Sequence, residues 1–220
     1  MLSKELRECG IYASLALLAM VHYVGAGMDL PLIPFLNSWR SGEIPFIGFN
    51  QYNVDRESTF VLVGIIAAVV LGLHQTVWES WRQTTLFLLH RPMPRSQIIL
   101  AKMLAGSLMV FAITAGPLLI YCAWAAAPGT HASPFFWSMT EPWWRGVEVA
   151  MVCYLGAFFT GIRPAHWLGS RTWPAIATIL MAVALKFAPI PPVLIYLGLT
   201  ALAAILVVFI LDVTRLREFP

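Results

Sequence analysis

The stretch that decides the fold is residues 60–78, which read FVLVGIIAAVVLGLHQTVW. It contains no Asp, Glu, Lys or Arg, and about 20 predominantly apolar residues are enough to cross a bilayer as an α-helix. Five more apolar stretches lie at about residues 11–28, 98–124, 143–162, 173–189 and 193–213. We therefore predict an all-α, polytopic membrane protein with six transmembrane helices.

The composition excludes a water-soluble protein. Of the 220 residues, 59% are hydrophobic and only 11% are charged, whereas soluble domains are about 25% charged. A soluble chain of this length could not bury so much apolar surface. Six helices of about 20 residues and their connections leave no room for a soluble domain, so we expect a single transmembrane domain over residues 1–220.

The distribution of Lys and Arg predicts the orientation, because basic residues near span ends are retained in the cytoplasm. Ten of the 14 fall on one side of the predicted spans. These are Lys4, Arg7, Arg82, Arg91, Arg95, Lys102, Arg163, Arg171, Arg215 and Arg217. We therefore place both termini on the cytoplasmic side of the cell (cytoplasmic) membrane. The net charge of +3 reflects this topology, and we expect no nucleic-acid partner.

The first apolar stretch has one alternative reading, a secretory signal peptide, because a basic-containing start precedes the apolar run and small residues follow it at 25–27. Against this reading, Glu5 and Glu8 cancel the positive start.

The three cysteines, Cys9, Cys122 and Cys153, fall at different predicted depths without metal-ligand spacing. We expect them to be ordinary packing residues.

The predicted cytoplasmic loop between spans two and three, residues 79–102, begins with an amphipathic segment. Trp78, Trp81, Thr85 and Leu88 recur at three- and four-residue spacing. Polar residues occupy much of the remaining circumference, as expected for a helix lying along the membrane surface. Two prolines, Pro92 and Pro94, end the segment before the third span.

This loop resembles the first cytoplasmic loop of the permease subunits of type-two ABC exporters, and the six-span layout with cytoplasmic termini is similar over the whole chain. The matching positions are Glu79, Thr84 or Thr85, Leu88, Leu89, Pro92, Arg95 and Lys102. The sequence departs from the family pattern in two places. Gln83 or Thr84 replaces the usual Gly, and the outer re-entrant element before the last span is reduced to residues 190–192.

The resemblance implies a coupling helix that docks into a cleft on a separate ATP-hydrolysing subunit. Trp81 or Leu88 would be buried in the partner groove, while Glu79 and Arg82 set the register at its rim. The resemblance also implies a homodimer or a paired permease. No phosphate-binding Gly-x-x-x-x-Gly-Lys-Ser/Thr loop occurs in the sequence, so we expect no cofactor here and ATP hydrolysis in the partner. The alternative is an ordinary topological loop that carries Arg, Lys and interfacial Trp.

Two other classes of function remain open. An intramembrane enzyme or redox protein would use buried His and carboxylates, but His22 and His74 are predicted at badly staggered depths for one haem. Neither a Gly-x-Ser-x-Gly elbow nor a His-Glu-x-x-His helix is present. A non-transporting membrane scaffold or assembly protein is the second alternative, and nothing in the sequence opposes it.

Two charged residues, Glu148 and Lys186, are predicted inside spans, each about five residues from the outer end. Charged groups inside a bilayer are costly and are candidates for function. Their matching depths predict an ion pair between spans four and five that helps to close the outer side. The alternative is that each side chain reaches separately to the membrane interface.

Overall fold

The computed structural model describes residues 2–27, 54–78, 95–128, 135–163 and 168–216. These residues are almost entirely helical, and no strand occurs among them. The helices are α1 (Leu2–Gly27), α2 (Val54–Leu73), α3 (Arg95–Ala126), α4 (Glu141–Ile162), α5 (Leu168–Lys186) and α6 (Pro192–Leu216). A π-helical turn, His74–Trp78, extends α2, and a 3-10 turn, Trp137–Thr140, leads into α4.

The all-helical prediction is confirmed for the described residues. Four helical segments are long and apolar enough to cross a membrane: Glu57–Val77, Ser96–Ala126, Trp137–Ile162 and Pro192–Thr214. Two further apolar helical segments, Cys9–Gly25 and Thr172–Lys186, are shorter. Large apolar side chains also point outward, among them Ile11, Leu18, Val193 and Val208. Long apolar helices with apolar outer faces indicate a membrane-embedded protein.

Prolines begin or modify several of these helices. Pro142 occupies the first turn of α4, where a missing N–H costs nothing. Pro192 begins α6, and the Pro191 carbonyl accepts hydrogen bonds from the backbone N–H groups of Leu194 and Ile195, at 3.0 and 3.3 Å. The short turn between α5 and α6 therefore passes directly into the last helix, which makes these two helices antiparallel neighbours.

Contacts between helix ends establish an alternating arrangement. The start of α1 lies beside the end of α2, where Cys9 Sγ is 3.7 Å from His74 Nδ1. The starts of α2 and α4 lie together, with the Phe60 and Trp143 rings packed edge to face at 5.1 Å. We call the end at which α2, α4 and α6 begin the first end, and the end at which α1, α3 and α5 begin the second end.

The centre of the bundle is α4, which packs against α2, α3, α5 and α6. In its apolar segment 78% of the residues are buried, against 22% in α6. The parallel pair of α2 and α4 approaches closely through small residues: a Cβ on Gly72 would lie 2.9 Å from the Ala157 Cβ and from the Tyr154 carbonyl oxygen. Close approach through small residues is typical of packing between membrane helices.

Candidate functional site

Most of the predicted coupling residues lie outside the described residues. These are Glu79, Trp81, Arg82, Thr84, Thr85, Leu88, Leu89 and Pro92. The two that the structure reaches are Arg95, the first residue of α3, and Lys102, which is buried with 4% of its surface exposed. Because α2 ends and α3 begins at the second end, the two ends of the 79–94 segment are held there.

Two groups of polar residues are built into this apolar bundle, one at each end of α4. The first, which we call the charged cluster, consists of Glu57, Glu141, Arg145, Glu148 and Lys186 at the first end. Its most buried member is Lys186, whose side chain is 2% exposed and forms an ion pair with Glu57 of α2. This pair joins α2 to α5. The Lys186 Nζ also lies 4.6 Å from the centre of the Phe187 ring, which favours the cation further.

The rest of the charged cluster connects α4 to α5 and α6. Arg145 Nη2 donates to Glu141 Oε2 at 2.7 Å, and Arg145 Nη1 donates to the Lys186 carbonyl oxygen at 3.5 Å. The Tyr196 hydroxyl of α6 donates to the Glu141 carbonyl oxygen at 3.3 Å. Four helices thus meet in this network of charges and hydrogen bonds at the first end.

The structure corrects the predicted pairing of Glu148 with Lys186. Lys186 is paired with Glu57, whereas Glu148 Oε1 accepts a hydrogen bond from the Thr200 hydroxyl at 2.9 Å. The reason is the start of α2: the helix begins at Val54 rather than at the predicted residue 60, which places Glu57 on the helix facing the buried ammonium group. A buried cation requires a close counter-ion, and Glu57 supplies it.

The second group, which we call the Gln75 cluster, lies toward the second end. The Tyr154 hydroxyl of α4 donates to Gln75 Oε1 at 2.6 Å and also lies 3.4 Å from the Met103 carbonyl oxygen of α3. Gln75 is 2% exposed, and its Nε2 is buried without a hydrogen-bond partner. Gly106 completes the cluster, because a Cβ there would overlap the Tyr154 hydroxyl and Gln75 Oε1.

The π-helical turn shapes the Gln75 cluster. A π-turn inserts an additional residue into a helix and is frequent at functional sites, and here it carries His74, Gln75 and Thr76. The Thr76 hydroxyl donates to the Gly72 carbonyl oxygen at 2.8 Å. His74 packs against Tyr12 of α1, with ring centroids 4.4 Å apart. The polar residues of one turn thereby contact α1, α3 and α4.

His22 and His74, which lie in apolar helical segments, are far apart. His74 lies beside Cys9, whereas His22 follows Cys9 by 13 residues along α1, a distance of about 20 Å at 1.5 Å per residue. Among the described residues no group of three or more His, Cys, Asp or Glu could hold a metal ion. The described cysteines Cys9, Cys122 and Cys153 are all buried in the core.

Sequence reasoning did not identify Glu57, Gln75, Tyr154 or Thr200. A signal existed for Gln75, a strongly polar side chain inside the apolar run of residues 60–78, because polar groups buried in membrane segments need partners. Glu57 carried no comparable signal, since its role depends on where α2 begins.

The chain matches no protein-family model, and no curated protein shows significant similarity to it. The two clusters contain the principal polar contacts between helices in the described part of the chain. These ion pairs and hydrogen bonds hold neighbouring helices together.

Proposed function

We propose that this chain is the transmembrane permease subunit of an ABC transporter, an exporter powered by a separate ATPase subunit. In this proposal all six helices cross the membrane and both termini are cytoplasmic. The observation that carries the proposal is the stretch from Glu79 to Lys102, whose motif positions resemble those of the exporter permeases. This stretch joins α2 to α3 at the second end, the end to which the distribution of Lys and Arg assigns the cytoplasm.

The lengths of the two less apolar helices support six spans. α1 contains 26 residues and α5 contains 19, so at 1.5 Å per residue they extend about 39 and 28 Å. The hydrocarbon core of a bilayer is about 30 Å thick. α1 is longer than this thickness and α5 is within about 2 Å of it, so we propose that both cross the membrane. The alternation of directions would then place the terminal ends of α1 and α6 on the same side.

The Gln75 cluster supports a mechanical role for the 79–94 segment. Lys102, the last residue of the motif, precedes Met103, whose carbonyl oxygen lies beside the Tyr154 hydroxyl. The same hydroxyl binds Gln75, three residues before the end of the π-turn. The π-turn that ends α2 and the third turn of α3 are thus both connected to α4, so a displacement of the segment would be transmitted to the central helix.

A nucleotide site must come from another subunit in this proposal, because the sequence has no phosphate-binding loop. The expected assembly contains two permease halves, either two copies of this chain or this chain and a paralogue, above two ATPase subunits. Native mass measurement in lipid should find at least two permease chains. A strictly monomeric particle without partners would contradict the proposal and favour a membrane scaffold.

The direct test is co-purification of the ATPase subunit with variants of the 79–94 segment. Trp81→Ala and Leu88→Ala each remove an apolar anchor worth about 1 to 3 kcal/mol in a well-packed groove, so ATPase binding should weaken about tenfold or more. Glu79→Lys should weaken it through charge mismatch.

The matched control is Glu43→Lys, a reversal in the connector predicted on the opposite side, which should leave ATPase recovery unchanged. ATP hydrolysis by the purified complexes in lipid gives a second readout. Equal recovery and equal hydrolysis for the wild type and all four variants would mean that the segment is only a topological connector, and the exporter proposal would be wrong.

A further inference from the structure

The charged cluster contains one more acid than base. Two of its acids have a basic partner, since Glu57 pairs with Lys186 and Glu141 pairs with Arg145. Glu148 is the remaining acid, and its hydrogen-bond partner is the uncharged Thr200 hydroxyl. Its second oxygen, Oε2, is buried without a hydrogen-bond partner. Among the described side chains, a negative charge on Glu148 would therefore have no ion-pair partner.

This carboxyl lies within the membrane-crossing part of the bundle. Glu148 follows the first residue of α4 by seven positions, and Thr200 follows the first residue of α6 by eight. At 1.5 Å per residue they lie about 10 and 12 Å from the starts of their helices. Both belong to segments apolar and long enough to span a membrane. An ionised carboxylate without a counter-ion is costly at such a position.

Among the described residues, no basic side chain forms an ion pair with Glu148. Arg145, three residues before Glu148, directs its two terminal nitrogens to Glu141 and to the Lys186 carbonyl oxygen, and its Nε is buried without a hydrogen-bond partner. Lys186 is held by Glu57. Around this end the described titratable and charged side chains are Glu57, Glu141, Arg145, Lys186 and Tyr196, with Tyr121 and Cys122 on α3 and His22 and Tyr23 on α1.

Thr200 differs from five other helical threonines in its hydrogen-bond acceptor. The hydroxyls of Thr76, Thr114, Thr160, Thr178 and Thr214 each donate to the carbonyl oxygen four residues earlier in their own helix. The Thr200 hydroxyl instead donates across the helix interface to Glu148. A hydroxyl can also accept a hydrogen bond, so Thr200 can bind the carboxyl group in either protonation state. It donates to the carboxylate. When the carboxyl group is protonated, the Thr200 hydroxyl accepts from it and donates to the Tyr196 carbonyl oxygen, four residues earlier in α6.

We infer that Glu148 is a proton-binding site, which holds a proton while its carboxyl and the Thr200 hydroxyl of α6 lie in the apolar interior of the membrane and releases the proton when water reaches the carboxyl. The proton removes the one uncompensated charge of the cluster, and the Thr200 hydroxyl provides a partner before and after its release. The inference requires only that the bundle lies in a membrane. It does not depend on the ATPase or on a transported substrate, so it can fail or succeed separately from the proposed function.

The test is labelling of the purified protein in lipid vesicles with dicyclohexylcarbodiimide, which enters apolar regions and reacts with protonated carboxyl groups. The carboxylic acid adds across one C=N bond of the carbodiimide, and its proton moves to the carbodiimide nitrogen. The acyl group then shifts from oxygen to nitrogen, so that a stable acylurea forms without a leaving group. Peptide mass spectrometry should find the adduct on Glu148 at neutral pH, and at least about tenfold less on the ion-paired Glu57 and Glu141. The yield of the Glu148 adduct should decrease about tenfold for each pH unit above the pKa of Glu148, because only the protonated carboxyl group reacts.

Two variants give the controls. Glu148→Gln keeps an acceptor for Thr200 but has no acid, so its adduct should be absent. Asp212→Asn, on the exposed surface of α6 toward the second end, should leave the labelling of Glu148 unchanged. Infrared spectroscopy checks the same property without a reagent, because the carbonyl stretch of a protonated carboxyl group should be present in the wild type and missing in Glu148→Gln.

Three results would overturn the inference. The first is a wild-type protein with neither the Glu148 adduct nor the protonated-carboxyl band at neutral pH. The second is labelling that appears only under acidic conditions in which exposed carboxyl groups also react. The third is labelling that sodium ions prevent at constant pH, which would make a metal cation the occupant.

Discussion

The charged cluster and the Gln75 cluster hold the same helix, α4, toward its opposite ends by different means. At the first end, full charges meet, and the Lys186 side chain is 2% exposed. Toward the second end, an amide and a phenol meet across a glycine, and both Gln75 and Tyr154 are almost completely buried. The charged cluster depends on each ion keeping its counter-ion, whereas the Gln75 cluster depends on the fit between neutral groups.

The largest expected effect comes from leaving the buried ammonium group of the charged cluster without its partner. Glu57→Leu should lower the free energy of unfolding by about 3 kcal/mol or more, because removal of one member of a buried ion pair leaves an uncompensated charge. Equilibrium unfolding in detergent micelles measures this change. The double variant Glu57→Leu with Lys186→Met should recover most of the loss, since both charges are then absent. If the double variant is as unstable as Glu57→Leu, the ion pair is not the cause.

A smaller effect is expected when the fit of the Gln75 cluster is disturbed. Gly106→Ala should lower the free energy of unfolding by about 1 to 3 kcal/mol, because the new methyl group overlaps the Tyr154 hydroxyl and forces the helices apart. Gly10→Ala on α1 is the control, since nothing lies within 4 Å of its added Cβ and no proline directly follows it. It should be neutral or slightly stabilising.

Tyr154→Phe in the Gly106→Ala background tests whether the hydroxyl causes the overlap. Removing the hydroxyl should restore part of the lost stability, although Gln75 then loses its partner. A Gly106→Ala protein as stable as the Gly10→Ala protein would show that the Gln75 cluster is not closely fitted.

The smallest effect is expected at the more solvent-accessible pair of the charged cluster. Glu141 and Arg145 are separated by one helical turn, with side-chain exposures of 28% and 19%. Glu141→Gln should cost about 0.5 kcal/mol, the usual range for such i, i+4 pairs. The same unfolding measurement, repeated at high salt, should show the difference shrinking. A loss comparable to that of Glu57→Leu would mean that the whole cluster acts as one unit.

The contrast between the clusters also shows how far the sequence could predict the site. The positions of the helices followed from apolar runs of span length, because a backbone surrounded by lipid must satisfy its own hydrogen bonds. Lys186 was identified as costly and in need of a partner, but its partner was predicted to be Glu148. The true partner, Glu57, precedes Lys186 by 129 positions, and its availability depended on α2 beginning at Val54.

The amino-acid sequence by itself determined the all-helical class, the places of the six helices and the presence of charges within apolar segments, because these depend on local composition and on the length of each run. Only the tertiary structure decided which polar groups meet. Gln75 and Tyr154 are 79 positions apart, and their hydrogen bond requires the π-helical turn, the parallel packing of α2 and α4, and the absence of a side chain at Gly106. Such pairings depend on the orientation of whole helices, and that orientation is set by the fit of many small residues together rather than by any single stretch of sequence.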